Sequence, residues 1–208
     1  MPRPSQVSQR RAQLIRALEQ VMAQQGYEAA SIREIAQAAG LAPGLVHHYF
    51  PDKEALLVAL TEDLGARWLT RLDEAEGLDP EARLRRLIEL HLSVNEARPD
   101  ELGCWLQIIT EAARRPSVGV VWALVVRSLR ARLIAALTAL AEERGRRLDV
   151  DASAAARLAL IYGGLARGPS DGGPPGYAAT AAWALVEGLL AAAPAADGPS
   201  QAAGGAAT

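Results

Sequence analysis

Apolar positions along this chain recur at intervals of three and four residues far more often than at two, so the pattern is helical almost throughout. Leu14, Leu18, Val21 and Met22 share one face of a first segment over residues 8–25, with Arg10, Arg11 and Arg16 on its polar side. Gly26 stops it, as the residue type that takes the left-handed conformation just past a helix end. Ser31 opens a short second helix. Glu34 stands three positions on, so each side chain can satisfy the other's unpaired backbone N–H, and Ile32, Ile35, Ala36 and Ala39 face inward. Gly40 ends this helix, and Leu41 and Ala42 make a turn. Pro43 then suits the first position of a third helix over residues 43–49, where its missing N–H is no loss. Three unequal helices within residues 8–50, with a short Gly-containing turn between the second and third, outline a helix-turn-helix.

Asp52 is placed to cap a longer helix through Leu56, Leu57, Leu60, Leu64 and Trp68, ending near Gly77. Further helical patterns cover residues 80–98, 100–115, 117–144, 151–166 and 177–193, separated by Pro and Gly signals that include the Gly- and Pro-rich stretch 168–176. The expectation is an all-α chain of about nine helices in two domains. Residues 8–51 form a helix-turn-helix DNA-binding domain, and residues 52–193 a helical ligand-binding and dimerisation domain. Residues 1–7 and the tail 194–208, which is mostly Ala, Gly, Pro and Ser, offer little to pack and are expected to be disordered.

Composition narrows the function. Half of the residues are hydrophobic and 22% are charged, enough apolar content for a packed core, while 43 alanines favour helix over strand. The net charge of −2 excludes a chain that coats nucleic acid with charge all over. Residues 1–50 nevertheless carry five Arg against three Glu, whereas residues 51–208 carry 17 basic and 21 acidic groups, so a nucleic-acid surface belongs at the N-terminal end. The single cysteine, Cys104, rules out an intramolecular disulfide and fits a reducing cytoplasm. It reads as a plain buried cysteine rather than a redox sensor, having no basic neighbour in sequence to activate it. The longest apolar run, from Val118 to Val126, is far short of a membrane span, and the N-terminus has no signal-like apolar region.

The run from Ser31 to Leu56, through Arg33, Glu34, Ile35, Ala36, Gly40, Leu41, Pro43, Gly44, Leu45, Tyr49, Phe50 and Lys53, resembles the DNA-binding segment of the TetR (tetracycline repressor) family of one-component regulators. The resemblance covers about residues 10–60; beyond them only the number and length of the helices correspond. It implies a ligand-responsive homodimeric repressor acting on double-stranded DNA. Two positions depart from the family pattern. Ala42 stands where a Ser or Thr is usual and Pro43 where a polar residue or Lys is usual, which removes one hydroxyl contact to a phosphate and shifts readout towards apolar and histidine contacts.

The residues support that reading on their own. A short helix enters the major groove only if its leading residues let the backbone approach the bases, and Gly44 meets that need. Leu45 suits a thymine methyl. His47 and His48 point away from the apolar face set by Leu41, Val46 and Phe50, Tyr49 offers a hydroxyl, and Lys53, the only lysine, is placed to pair with a phosphate. Ser31 and Arg33 at the start of the second helix can clamp another phosphate, and Arg3, Arg10 and Arg11 can trail along the minor groove or backbone. The plainer alternative is a solvated helix end.

So small a reading unit touches too few base pairs to select one site, so a two-fold dimer on a palindromic operator is expected. The last two helices are the candidates for joining the copies: Ala154, Ala155, Ala159 and Gly163 on one, and Ala178, Ala182, Val186, Leu189 and Leu190 on the other. The alternative is that both pack within one chain. An unidentified small-molecule effector would sit among the helices between residues 52 and 144. There Leu84, Leu87, Ile88, His91 and Asn95 keep one helical stripe, and Trp68, Trp105 and Trp122 come from three of these helices with Tyr162 from the pattern over 151–166. An ordinary core with satisfied polar groups is the alternative for each.

No catalytic, metal or cofactor site emerges. The string from Gly168 to Gly172 around Ser170 mimics a nucleophile elbow but lacks the strand and helix that motif needs. The three histidines do not form a ligand set. A rival of another class is an all-helical ligand-binding or oligomerisation module that does not bind DNA.

Overall fold

The computed structural model describes residues 6–92, 99–148 and 177–196. Among the described residues there are eight α-helices and no strand: α1 Gln6–Gln25, α2 Ile32–Ala38, α3 Pro43–Tyr49, α4 Lys53–Asp73, α5 Pro80–Leu92, α6 Pro99–Ala112, α7 Pro116–Glu143 and α8 Tyr177–Ala192. The expected helix over 151–166, the stretch 168–176 and residues 197–208 lie outside the described residues. Gln6 and Val7, read from sequence as disordered, belong to α1.

Local chemistry explains the boundaries. At α2, Ser31 accepts from the Glu34 N–H and the Glu34 carboxylate accepts from the Ser31 N–H, the reciprocal cap that the spacing predicts. Its other end closes as a Schellman turn. The N–H of Leu41 reaches the Ala36 carbonyl at 2.9 Å and that of Gly40 the Gln37 carbonyl at 3.0 Å. Gly40 sits there at φ 64°, a conformation costly for any residue with a Cβ. Asp52 caps α4 by accepting from the Ala55 N–H at 2.7 Å, and Asp79 caps α5 through the Ala82 N–H at 2.9 Å. Ala42, at the head of α3, makes no side-chain cap, so that helix starts on Pro43 and backbone bonds alone.

The chain divides into two compact units. The first holds residues 6–74 and 99–129 of those described. In it α1 is the hub, packing against α2, α3, α4 and α6. Leu14, Leu18, Met22, Ile35, Val46, Phe50, Leu56, Leu57, Leu60 and Leu64 are essentially inaccessible. Burying each such side chain contributes about 1.5–3 kcal/mol, and the stripes that do so are those of the apolar periodicity. Gly65 lets α4 lie close against α7: a Cβ there would lie 2.5 Å from Val125 Cγ2.

The second unit holds residues 75–92, 130–148 and 177–196. Leu84, Leu87 and Ile88 of α5 are buried as their spacing predicts, along with Leu133, Leu137 and Leu140 of α7. Arg144 bonds Glu81 at 2.7 Å and Glu187 at 2.8 Å, and the Arg85 guanidinium stacks 3.6 Å from the Trp183 ring centroid. Two expectations are corrected in this unit. Ala182, Val186 and Leu190, proposed from sequence to join two copies, are buried within the chain itself, because α8 packs against α5. The face that α8 leaves exposed is instead Ala181, Ala184, Leu185 and Gly188. Pro194 and Ala196, read as the start of a disordered tail, are held by backbone bonds from Arg147 to the Pro194 carbonyl and from Ala196 to the Gly145 carbonyl, each 2.9 Å.

Candidate nucleic-acid interface

Side chains from elsewhere in the first unit fasten the carbonyl-rich ends of the short helices. The Gln13 amide of α1 donates to the Ala39 carbonyl at the end of α2. Arg11 donates to the Tyr49 carbonyl at the end of α3 at 2.6 Å and lies 4.1 Å from the Phe50 ring centroid. Lys53 Nζ, at the start of α4, gives hydrogen bonds to three carbonyls: Tyr27 at 2.9 Å, Glu28 at 3.3 Å and Ala30 at 3.1 Å. The amide of Gln13 and the guanidinium of Arg11 suit helix C-termini, which carry unpaired carbonyls and the negative end of the dipole, and Lys53 satisfies carbonyls of the turn between α1 and α2. Two residues expected at the DNA thus have partners within the unit. Lys53, expected to pair with a phosphate, spends its three hydrogens on the α1–α2 turn. Arg11, expected to follow the DNA, clamps α3. Arg3 lies outside the described residues, and Arg10 bonds Gln13 at 3.0 Å.

What these clamps hold outward is the rest of α3. Val46 and Phe50 are buried and Tyr49 is half-buried, while Ala42, Pro43, Gly44, Leu45, His47 and His48 are exposed. Gly44 and His48 are one turn apart on the face opposite Val46, with His47 and Leu45 on its two flanks. Leu45 retains 43% of its surface, so its side chain is available at the helix surface. Nothing lies within 4 Å of where a Gly44 Cβ would stand. His48 meets Tyr49 edge-on at 4.9 Å, and His47 Nδ1 lies 3.3 Å from the Pro51 carbonyl oxygen. At the head of α2, Ser31 and Arg33 are exposed. The Ser31 hydroxyl also donates to Glu34 at 2.7 Å, so a carboxylate of the chain already occupies that helix N-terminus. The Ser31 bonds hold the Glu34 carboxyl below its ordinary value.

Behind the reading helices, α6 grips the end of α1. Gln107 donates to the Met22 carbonyl at 3.1 Å and accepts from the Tyr27 N–H at 2.6 Å. Arg115 meets Glu111 at 2.8 Å, Glu54 at 3.1 Å and Glu28 at 3.4 Å. Sequence reading missed both residues. Their partners at Met22, Tyr27, Glu28 and Glu54 are remote in the chain, and only the Glu111–Arg115 spacing is a local signal.

Of the six effector candidates, the structure brings three together. Trp68 of α4, Trp105 of α6 and Trp122 of α7 form a row with ring centroids 5.6 Å and 5.4 Å apart. Trp105 Nε1 is buried and makes no hydrogen bond among the described residues. Beside the row, the buried Glu101 carboxylate takes both arms of Arg71. Asn95 and Tyr162 lie outside the described residues; of His91 only the backbone, in α5, is described. The second unit holds a cleft of about 490 Å³ lined by Asp79, Glu81, Arg85, Leu140 and Arg144 among others. Cys104, next to Trp105, is buried and bonds the Glu19 carbonyl at 3.5 Å, and burial pushes its thiol up to about 12. Among the described residues no group of three or more His, Cys, Asp or Glu could hold a metal ion, and no helix is long and apolar enough to cross a membrane.

Comparison with known proteins assigns this geometry to a family. Residues 14–60 match the family described as bacterial regulatory proteins, tetR family, and residues 80–195 the BetI-type transcriptional repressor C-terminal domain. The HTH-type transcriptional regulator BetI of Rhizobium meliloti is 33% identical over 144 residues, 67% of this chain and 70% of that one. BetI of Paraburkholderia phytofirmans is 30% identical over 84% of this chain and 89% of its own. Among solved structures, a transcriptional regulator from Rhodococcus sp. Rha1 superimposes with a TM-score of 0.75 at 28% identity, over 88% of this chain and 97% of that one. One from Saccharomonospora viridis, determined in complex with choline, gives 0.77 at 20% identity, over 86% and 96%. The match to the BetI-type domain alone spans more than half of the sequence, and the chain belongs to the TetR family of bacterial transcriptional regulators, with a BetI-type C-terminal domain.

Proposed function

We propose that this regulator is a homodimeric, effector-responsive repressor that reads a palindromic operator in the cytoplasm. Residues 8–51 act as the DNA-binding domain and residues 52–193 as the effector-binding and dimerisation domain. Gly44, Leu45, His47 and His48 meet base edges. Ser31, Arg33, Ala42, Pro43 and Tyr49 lie along the sugar-phosphate backbone, and Lys53 positions the head. The observation that carries this reading is an outward α3 face of small, apolar and imidazole groups, with α3 fastened by Arg11, the end of α2 by Gln13 and the α1–α2 turn by Lys53. The exposed Ala181, Ala184, Leu185 and Gly188 of α8 supply a small-residue face on which a second copy can pack closely.

The effector reading rests on the tryptophan row. Indole rings favour an organic cation, because the ring quadrupole attracts positive charge by about 0.5–2 kcal/mol per contact. The choline bound to the Saccharomonospora viridis protein supports that class. Binding shifts the population towards a conformer whose two heads no longer match successive major grooves, by as much as the effector's preference for that conformer.

Fluorescence anisotropy with a palindromic duplex from the region upstream of the coding sequence tests the DNA reading. Tight binding that falls steeply with salt, and weakens in His48→Ala, supports it. Salt-independent binding, or none, favours the rival ligand-binding module. Quenching of the tryptophans by choline chloride, with release of the duplex, tests the effector class.

A further inference from the structure

The α3 sequence, PGLVHHY, contains no Arg, Lys, Asn or Gln. It therefore lacks the side chains that grip guanine or adenine edges through two hydrogen bonds at once. Besides the hydroxyl of the half-buried Tyr49, side-chain hydrogen bonding from this helix rests on its imidazoles, whose meaning depends on which ring nitrogen carries the proton. For His47 the fold supplies a partner to one of the two ring nitrogens. Its Nδ1 lies 3.3 Å from the Pro51 carbonyl oxygen, in the turn that Asp52 holds by capping α4. A carbonyl oxygen only accepts, so this contact is a hydrogen bond when Nδ1 carries the ring proton. A neutral imidazole has a single N–H, and Nε2 is then left with a bare lone pair. The ring is exposed on the flank of the outward face.

We infer that His47 is a specificity-determining residue that presents an acceptor to the major groove and so selects a base carrying an exocyclic amino group there, adenine or cytosine, against guanine and thymine. The amino hydrogens of adenine N6 and cytosine N4 point at such a lone pair, while guanine O6 and thymine O4 bring a second acceptor against it. Leu45, on the opposite flank, contributes an apolar preference and no hydrogen-bond polarity, so the two residues read different positions in each half-site. This inference rests on the proposal that α3 reads DNA.

The test is selection from randomised half-sites with the full-length chain at about pH 8, where an imidazole is neutral, comparing the wild type with His47→Ala. The expected result is one position, mirrored in both half-sites, at which the wild type enriches adenine or cytosine roughly 2- to 10-fold, as one hydrogen bond allows. His47→Ala should lose that preference and keep the others. Replacing the selected adenine by purine, or cytosine by 2-pyrimidinone, deletes the amino group alone. It should weaken the wild type by the same factor and leave His47→Ala unaffected; if that variant binds no duplex, the base-analogue loss in the wild type decides. Unchanged preferences in His47→Ala, a guanine or thymine at the affected position, or no loss with the amino-free bases would each overturn the assignment. A wild type that enriches no sequence overturns the DNA-reading proposal itself, and this assignment with it.

Discussion

Gly44→Ala separates the stability of the reading head from its contact with DNA. In the free protein the new methyl meets nothing within 4 Å, the position is exposed, and Gly44 is not among the glycines at positive φ. An alanine inside a helix restricts the unfolded chain more than glycine does, so the variant should be unchanged or more stable by up to about 1 kcal/mol. That corresponds to a rise in Tm of about 2–4 °C for a chain of this size. On DNA the same methyl stands where the backbone comes nearest the bases and holds neighbouring groups outside the roughly 2.7–3.2 Å that hydrogen bonds require. The loss should equal about one good base contact, about 1–3 kcal/mol, or roughly 5- to 150-fold in Kd. Anisotropy titrations at fixed salt and differential scanning calorimetry measure the two effects separately. A Kd within twofold of wild type at unchanged or raised Tm would refute the claim that α3 needs a bare backbone at Gly44. A fall in Tm would refute the open surroundings on which the reasoning stands.

Three further outcomes follow from the geometry. Gly65→Ala forces a Cβ to within 2.5 Å of Val125 Cγ2; a β-branched valine yields poorly, so denaturant unfolding should show a loss of about 1–3 kcal/mol, and none at all would mean that α4 and α7 do not approach so closely. The Ser31 bonds hold the Glu34 carboxyl below its ordinary value of 4.5, so their stabilisation is complete above that pH and is lost as pH falls through the lower folded value. The gap in Tm between wild type and Ser31→Ala should therefore be full at neutral pH and close only in acid, and a gap independent of pH would contradict the capping box. Arg11→Gln should weaken DNA binding and cost roughly 1 kcal/mol of stability without altering the salt dependence, because its guanidinium is bound to the Tyr49 carbonyl and Phe50. A slope reduced by about 0.9 would show a phosphate contact instead.

Much of the head was legible from spacing alone, because its determinants are local. The Ser31–Glu34 cap, the turn at Gly40 and the start at Pro43 each involve residues within four or five positions of one another, and the buried stripes of α1 and α4 follow the helical repeat. The clamps were not legible. Lys53 reaches carbonyls 23 to 26 residues back, and Gln107 reaches one 85 residues away. Nothing in a lysine or glutamine codon announces such a partner. The α8 stripe shows the opposite error: Ala182, Val186 and Leu190 were identified correctly as one apolar face, but periodicity says that a face is buried and never by whom.

The order of residues along this chain was thus sufficient for the described helices, for the caps at Ser31, Gly40, Pro43 and Asp52, and for the resemblance that names its family, since each of those depends on contacts between near neighbours. Packing decided the rest. It gave Lys53 and Arg11 partners within the head, drew Trp68, Trp105 and Trp122 into one row, and set the His47 ring against the Pro51 carbonyl. These outcomes depend on where helices distant in sequence come to lie, and hydrogen-bond donors and ring faces find partners only once that arrangement exists.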